Sequence, residues 1–193
     1  MAFPAALSRR RLILAALIAS TMQTGILAAM IHEGNTILED GTPITLRTRP
    51  VDPRDLLRGE YVILSYDISL VESSMIAGPW PETAGDAALY LEMAPESDGT
   101  WRPIIASFNP LVAGRGNVML RSLPFHFDPA GQKPSTLRVE YGLERYYVPE
   151  GQGPELEKAR NDSRILVEAR VMPDGTARIS SLRVEPEGAK PGS

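Results

Sequence analysis

Five charged residues of both signs fall within nine positions of one stretch of the chain: Asp52, Arg54, Asp55, Arg58 and Glu60. Arginine side chains in such a loop can present several N–H donors to an anionic partner group. The same charges can also pair with one another and stabilise a turn without any ligand. We therefore take Arg54, Asp55, Arg58 and Glu60 as candidate ligand or partner residues.

A dense apolar run, Tyr61–Leu70, follows this charged loop. Its period of two predicts a β-strand whose apolar face consists of Val62, Leu64, Tyr66, Ile68 and Leu70. Tyr61 and Tyr66 lie on opposite faces of such a strand, so they cannot hold one ligand between them. We expect Leu64 and Tyr66 to pack in the core and Tyr61 to pack against the charged turn.

Familiar catalytic and metal-binding patterns are missing from the sequence. The chain has no cysteine, which excludes disulfides, thiolate metal sites and thiol catalysis. His32 and His126 have no ligand spacing, and we expect His126 to be an exposed or hydrogen-bonded residue of an edge strand. There is no G-x-S-x-G elbow and no glycine-rich phosphate loop. The sequence predicts no catalytic residue, no metal and no cofactor.

The stretch GEYVIL at residues 59–64 is similar to a strand of membrane-anchored signal peptidases. Their serine nucleophile lies eight residues before the glycine, where this chain has Val51. Their lysine base has no counterpart either, since the three lysines all come late: Lys133, Lys158 and Lys190. Without a nucleophile and its base the covalent mechanism cannot run, so we reject this interpretation.

Residues 12–31 form an uncharged stretch of the length that crosses a bilayer. Arg9–Arg11 precede it and acidic residues follow it, which predicts a cytoplasmic basic N-terminus over 1–11 and an exported remainder in a bacterial inner membrane. A cleaved signal peptide, a twin-arginine export signal and a buried core helix are the alternatives. An uncleaved anchor is favoured, since the apolar stretch is long and no A-x-A site occurs in or just after it. Gln23 inside the span favours a partner on a neighbouring helix.

The remainder of the chain has the pattern of a mainly β domain. It carries 17 basic and 24 acidic residues, which argues against nucleic-acid binding. We expect a linker over 32–43, an antiparallel β sandwich or barrel-like domain over 44–185, and a disordered tail over 186–193. The pattern predicts at most one short soluble helix, Pro154–Asn161, and its best turn is the MPDG at residues 172–175. A second hairpin is predicted between Ala87–Ala94 and Trp101–Phe108, joined by ESDGT, with Pro103 at an edge or bulge.

Two segments of the chain resemble the bacterial family named for its GDYXXLXY motif. The first motif segment, GEYVILSY at residues 59–66, fits at Gly59, Tyr61, Leu64 and Tyr66, with Glu60 in place of aspartate. The second motif segment, residues 141–151, begins YGLERYY and contains Tyr141, Gly142, Arg145 and Tyr146. The resemblance implies a membrane-anchored protein of unassigned activity, often encoded beside polytopic membrane proteins, and it supplies no catalytic residues.

Three functional hypotheses remain from the sequence. The first is a binding or accessory module that acts with a polytopic membrane protein and contacts the bilayer through residues 12–31. The second is a hydrolase or carbohydrate-active enzyme that uses acids of the loop 52–60 together with Asp67, which requires two carboxylates roughly 5–10 Å apart in a cleft. The third is a ligand sensor with its site between this loop and Arg145–Tyr147.

Overall fold

A computed structural model describes residues 9–50, 61–131, 133–147, 156, 159, 162 and 164–186. The chain divides into two compact units, Met1–Thr36 and Ile37–Ser193. The first unit contributes most of one long helix, α1 (Arg9–Asp40). None of the side chains in its most apolar stretch is buried, and the helix is long and apolar enough to cross a membrane.

Helix α1 is longer than the predicted span. It continues through residues 32–40, most of the stretch expected to be a linker, and the first strand begins at Thr42. Gly34 does not end the helix, which stops just before Gly41 and Pro43, two residues that disfavour its continuation. The amide of Gly41 donates to the carbonyl of Ile37 at 3.1 Å, which closes the last turn.

The second unit is built from antiparallel β sheets, as the sequence predicted. Its described residues form thirteen strands: β1 (Thr42–Arg49), β2 (Tyr61–Ile63), β3 (Ser65–Tyr66), β4 (Leu70–Glu72), β5 (Gly85–Ala87), β6 (Tyr90–Pro95), β7 (Trp101–Ser107), β8 (Val118–Arg121), β9 (Phe125–Phe127), β10 (Thr136–Arg138), β11 (Arg145–Tyr147), β12 (Ile165–Val171) and β13 (Ala177–Val184).

These strands pair in five small groups. The largest sheet has the order β13-β12-β1-β3, and a second has the order β7-β6-β8. Two-stranded pairs join β10 with β4, β11 with β2, and β5 with β9. Because β1 lies between β12 and β3, the strand that follows the helix is central to the largest sheet and connects residues from both ends of the domain's sequence.

The two hairpins predicted with the clearest turn signals are confirmed. Strands β6 and β7 pair with a register shift that sets Met93 opposite Pro103, the bulge expected at a proline inside a strand. Strands β12 and β13 pair around the MPDG turn, where Gly175 has a φ of +87°. Its amide donates to the carbonyl of Met172 at 2.9 Å.

The strand predicted over Tyr61–Leu70 is interrupted, although its core face is largely correct. Val62, Leu64, Tyr66 and Ile68 are all buried, as the period of two predicted, and they belong to a hydrophobic cluster formed by described residues of the domain. A 3-10 turn at Asp67–Ser69 then shifts the phase by one residue. Val71 is therefore buried in place of Leu70, which is 38% exposed.

Two predicted elements fall largely outside the described residues. Of the expected helix Pro154–Asn161 the structure describes Leu156 and Ala159, which contact the hydrophobic cluster. Of the expected tail 186–193 it describes Pro186.

The turn at Gly175 gives a first testable prediction. A methyl group there would lie 2.7 Å from Cβ of Arg121, whereas at Gly99, which has a similar φ of +84°, nothing lies within 4 Å. Gly99→Ala should therefore cost only the backbone term, about 1 kcal/mol of unfolding free energy. Gly175→Ala adds overpacking and should cost about 2–4 kcal/mol in denaturant titrations. Equal losses for the two variants would contradict the close packing of this turn on β8.

Candidate functional site

The two motif segments lie side by side. Strand β2 of the first pairs antiparallel with β11 of the second, which sets Tyr61 opposite Tyr147 and Val62 opposite Tyr146. The pairing continues beyond the strands, since the amide of Leu64 donates to the carbonyl of Glu144 at 2.8 Å. The described residues of the two motif segments are therefore adjacent in space, which sequence separation alone did not indicate.

Two buried tyrosine hydroxyls join the segments a second time, and we call this pair of hydrogen bonds the tyrosine clasp. The hydroxyl of Tyr66 donates to the carbonyl of Leu143 at 2.6 Å. The hydroxyl of Tyr141 donates to the carbonyl of Ile68 at 2.8 Å. Each tyrosine thus fills the core with its ring and satisfies a buried carbonyl: Tyr66 that of Leu143 in the second segment, and Tyr141 that of Ile68, two residues beyond the end of the first.

The second segment makes a tight turn that presents its carbonyls to the first. Gly142 has a φ of +79°, a conformation that side chains disfavour, which explains the glycine of this motif. A carboxylate oxygen of Glu144 accepts a hydrogen bond from the amide of Tyr141 at 2.7 Å and closes the turn. The turn places the carbonyl of Leu143 against the hydroxyl of Tyr66.

Burial raises the pKa of both clasp tyrosines well above the ordinary value of 10.0, and the nearby carboxylate of Glu144 adds to the shift. A phenolate would lose both water and its role as donor to a carbonyl. Tyr66 and Tyr141 therefore stay protonated at neutral pH, so they act as fixed hydrogen-bond donors and cannot serve as bases.

The predicted binding residues fall mostly outside the described part of the chain. Arg54, Asp55, Arg58, Gly59 and Glu60 all belong to residues 51–60, which the structure does not describe. Of that group of candidates it describes Arg145, which is exposed in β11.

Tyr61 and Tyr147, which lie opposite each other in the β2–β11 pair, are in contact. The rings of Tyr61 and Tyr147 have centroids 5.9 Å apart, and Tyr147 is 73% exposed. Tyr61 was expected to pack against the charged turn; the contact that the structure describes for its ring is with the second motif segment. The first segment thus joins the second both through its core face and through its opposite face.

A cleft of about 250 Å³ borders the first motif segment. Its wall includes the interrupted strand and the β6–β7 hairpin, through Leu46, Arg47, Tyr66, Asp67, Ile68, Glu96, Asp98, Thr100, Trp101, Arg102 and Pro103. Asp67, an acid considered for catalysis, lies here, but it pairs with Arg49 at 3.2 Å. This cleft is the described cavity closest to the motif residues.

The other charged residues of the cleft also form ion pairs or hydrogen bonds. Arg47 lies 2.7 Å from a carboxylate oxygen of Glu185 and 3.7 Å from one of Asp98. The hydroxyl and amide of Thr100 donate to Asp98 and, with the Arg47 guanidinium, lower the pKa of its carboxyl. Arg102 pairs with Glu96 at 3.2 Å. Each of these described acids thus has an arginine partner, and the lowered pKa of Asp98 makes that group unsuited to act as a general acid.

The histidine and metal expectations can be checked only over the described residues. His126 is an exposed residue of β9 opposite Asp86 in a two-stranded pair, as expected for an edge-strand histidine. Within the ranges that the structure describes, no group of three or more histidines and carboxylates is placed to hold a metal ion.

Sequence reasoning identified the motif residues but missed their mutual bonds. It treated Tyr66 as a core ring and gave no role to its hydroxyl or to Tyr141. It also missed Arg47, which pairs with Glu185 across 138 positions of the chain. The only signal was chemical, since a buried tyrosine or arginine requires a polar partner somewhere in the fold.

The comparisons with known proteins agree with the motif residues. Residues 23–182 match the family described as GDYXXLXY protein, which covers most of the chain and both motif segments. No match was found among curated proteins or among solved structures.

The clasp predicts a specific stability loss. Tyr66→Phe keeps the ring but removes the donor to the buried carbonyl of Leu143, and it should cost about 1–2 kcal/mol of unfolding free energy. Tyr147→Phe is the matched control, since this hydroxyl belongs to an exposed side chain, and it should change stability by less than about 0.5 kcal/mol. Denaturant unfolding of both variants measures the difference, and equal effects would show that the Tyr66 bond contributes nothing.

The raised tyrosine pKa values predict a loss of stability in alkali. Because the folded-state pKa exceeds the unfolded value, the contribution is fully present below about pH 10 and is lost as pH rises towards the folded value. The denaturant midpoint of the native chain should therefore fall more between about pH 8 and about pH 11 than that of the Tyr66→Phe, Tyr141→Phe double variant. Parallel curves for the two proteins would contradict this assignment.

Proposed function

The chain belongs to the GDYXXLXY protein family, and on that premise we propose that it is a membrane-anchored accessory protein without catalytic activity. In this proposal α1 anchors the chain in a bacterial inner membrane, and the β domain lies on the periplasmic or extracellular side. The partner is a polytopic membrane protein that packs against α1.

The proposed orientation rests on charge. Arg9–Arg11 lie at the start of α1, and no acidic residue occurs before Glu33. Basic residues beside a span are retained on the cytoplasmic side, so the N-terminus stays inside and the β domain is translocated. The proposal takes the anchor as uncleaved, because the uncharged stretch is longer than the apolar region of a signal peptide.

The observation that carries the partner proposal is Gln23. This side chain is exposed near the middle of the uncharged stretch, and it makes no hydrogen bond to any described residue. Thr21 differs, since its hydroxyl donates to the carbonyl of Leu17 one turn earlier at 2.9 Å. An amide in hydrocarbon requires a donor and an acceptor that lipid tails cannot supply, so Gln23 favours a neighbouring transmembrane helix.

The β domain supports a role without catalysis. Asp67, Glu96 and Asp98, the acids of the cleft beside the motif, each pair with an arginine, and the clasp tyrosines are held protonated. A hydrolase would need one carboxyl with a raised pKa beside one that stays ionised. Asp98, whose pKa is lowered by Thr100 and Arg47, is a group of the second kind.

Substitution of Gln23 tests the proposal in the full-length protein. Gln23→Leu removes the amide, whereas Thr21→Val removes a polar group that is already bonded within its own helix. We expect Gln23→Leu to reduce recovery of a co-purifying membrane protein in mild detergent by about three- to tenfold, and Thr21→Val to leave it unchanged. Quantitative mass spectrometry of the purified membrane fraction measures both.

Three results would contradict the proposal. The native protein could purify as a lone monomer, it could associate only with further copies of itself, or the mature chain could lack residues 1–31. Equal recovery with both variants would remove Gln23 from the interface.

A further inference from the structure

The most exposed large apolar side chain among the described residues is not in the helix but in the β domain. Val112 is 95% exposed, whereas the apolar side chains of α1 reach 68% at Met22. It lies in the loop that connects β7 and β8, with the sequence NPLVAGRGN over residues 109–117, which we call the valine loop. Single exposed apolar residues are common on protein surfaces, so the surroundings decide whether this one matters.

An apolar groove of about 340 Å³ lies beside Val112. Leu111, Val118 and Met119 contribute from the valine loop and the strand that follows it, and Val171, Met172 and Pro173 contribute from the end of β12. Val112 is therefore one of the residues that line a mostly apolar groove. The unbranched, flexible side chains of Met119 and Met172 let such a groove adapt to partners of variable shape.

The valine loop is held in place by hydrogen bonds at its base. One carboxylate oxygen of Glu92 accepts from the amide of Gly114 at 2.8 Å and from the side-chain amide of Asn117 at 2.6 Å. The backbone amide of Asn117 donates to the carbonyl of Gly114 at 3.0 Å. These hydrogen bonds lower the pKa of Glu92, so its carboxylate stays charged at neutral pH. The hydrogen bonds to Glu92 thus hold the base of the loop that exposes Val112 to solvent.

A basic side chain accompanies the apolar tip. Arg115 is exposed in the same loop and forms no ion pair with any residue in the described ranges. Arg115 and the exposed Val112 belong to one short loop and are three residues apart in the sequence. Apolar side chains that enter the headgroup layer, flanked by cations that contact phosphate, are the usual composition of interfacial membrane contacts.

The chain limits how far this surface can lie from a membrane. Thr42 lines the groove, and ten residues separate it from Ile31, the last residue of the uncharged stretch. Nine of them are helical, with a rise of about 1.5 Å each, so Thr42 lies within roughly 20 Å of Ile31 whatever the arrangement of the two units. Arg170 binds the carbonyl of Gly41 at 3.1 Å and ties the start of β1 to β12, beside the groove.

We propose that the valine loop and the adjoining groove contact the headgroup layer of the bilayer, with Val112 entering the lipid and Arg115 contacting lipid phosphate. This rests on the membrane anchor of the proposed function, but it concerns a different surface and a different partner. The contact would fix the β domain against the membrane in addition to its covalent tether.

Fluorescence quenching in the full-length protein tests this contact. Because the chain has no cysteine, Val112→Cys, Val184→Cys and Ile18→Cys each give a single site for an NBD label. Val184, 43% exposed, is the matched control at the far end of β13, seven residues or about 23 Å from Ala177. Each protein is reconstituted in vesicles of phosphatidylcholine and phosphatidylglycerol that carry nitroxide at the headgroup or on the acyl chain.

We expect headgroup nitroxide to quench the label at residue 112 at least about twofold more than the label at residue 184. Arg115→Gln should reduce this quenching in vesicles with phosphatidylglycerol more than in pure phosphatidylcholine, since the anionic lipid strengthens the arginine contact. Acyl-chain nitroxide should quench the label at residue 18.

Each other outcome has one interpretation. Quenching at residue 18 with equal, weak quenching at residues 112 and 184 overturns the lipid contact and leaves the anchor intact. No quenching at residue 18 overturns the anchor of the proposed function itself. Shielding of residue 112 in native membranes, but not in the lipid vesicles, shows that a protein covers the groove and also overturns the lipid contact.

Discussion

The hydroxyl of Tyr66 donates to the buried carbonyl of Leu143, the hydroxyl of Tyr141 donates to that of Ile68 just beyond the first motif segment, and the arrangement of the β domain around the motif depends on this exchange. Small β pairs of three residues are weak alone, as the β2–β11 pair would be. The clasp adds two desolvated hydrogen bonds to that pair, and it does so where loss of either donor leaves an unsatisfied carbonyl. The clasp thus holds together two short tyrosine-containing segments that are far apart in the chain.

The same exchange gives most of the described motif residues a structural role. Residues of both motif segments are used in packing and mutual bonding, and the acids of the neighbouring cleft pair with arginines. Among the described motif residues, Arg145 is exposed and remains the candidate for contact with a ligand. Elsewhere, the amide of Gln23 in the helix and Val112 with Arg115 in the valine loop are exposed. Both favour contact with a membrane or its proteins, which is the basis of the proposals above.

Sequence alone predicted the parts of this fold that local physics determines. The uncharged helix, the proline bulge in β7, the MPDG turn and the buried face from Val62 to Ile68 all follow from length, turn chemistry and periodicity. The turn at Asp67–Ser69 was not predictable in this way, because a long-range bond from Tyr141 to the carbonyl of Ile68 accompanies it. The ion pair of Arg47 with Glu185 was missed for the same reason, since pairings across the whole chain leave no local pattern.

Amide hydrogen exchange at Leu64 tests most directly whether the motif pair is a structural clasp. Its N–H donates to the carbonyl of Glu144 between the two segments. If the clasp is part of the cooperative core, this amide exchanges only through global unfolding, and its opening free energy equals that of the whole β domain. Exchange through a local opening of much lower free energy, with the rest of the core still protected, would show that the motif segments separate on their own and would contradict this account.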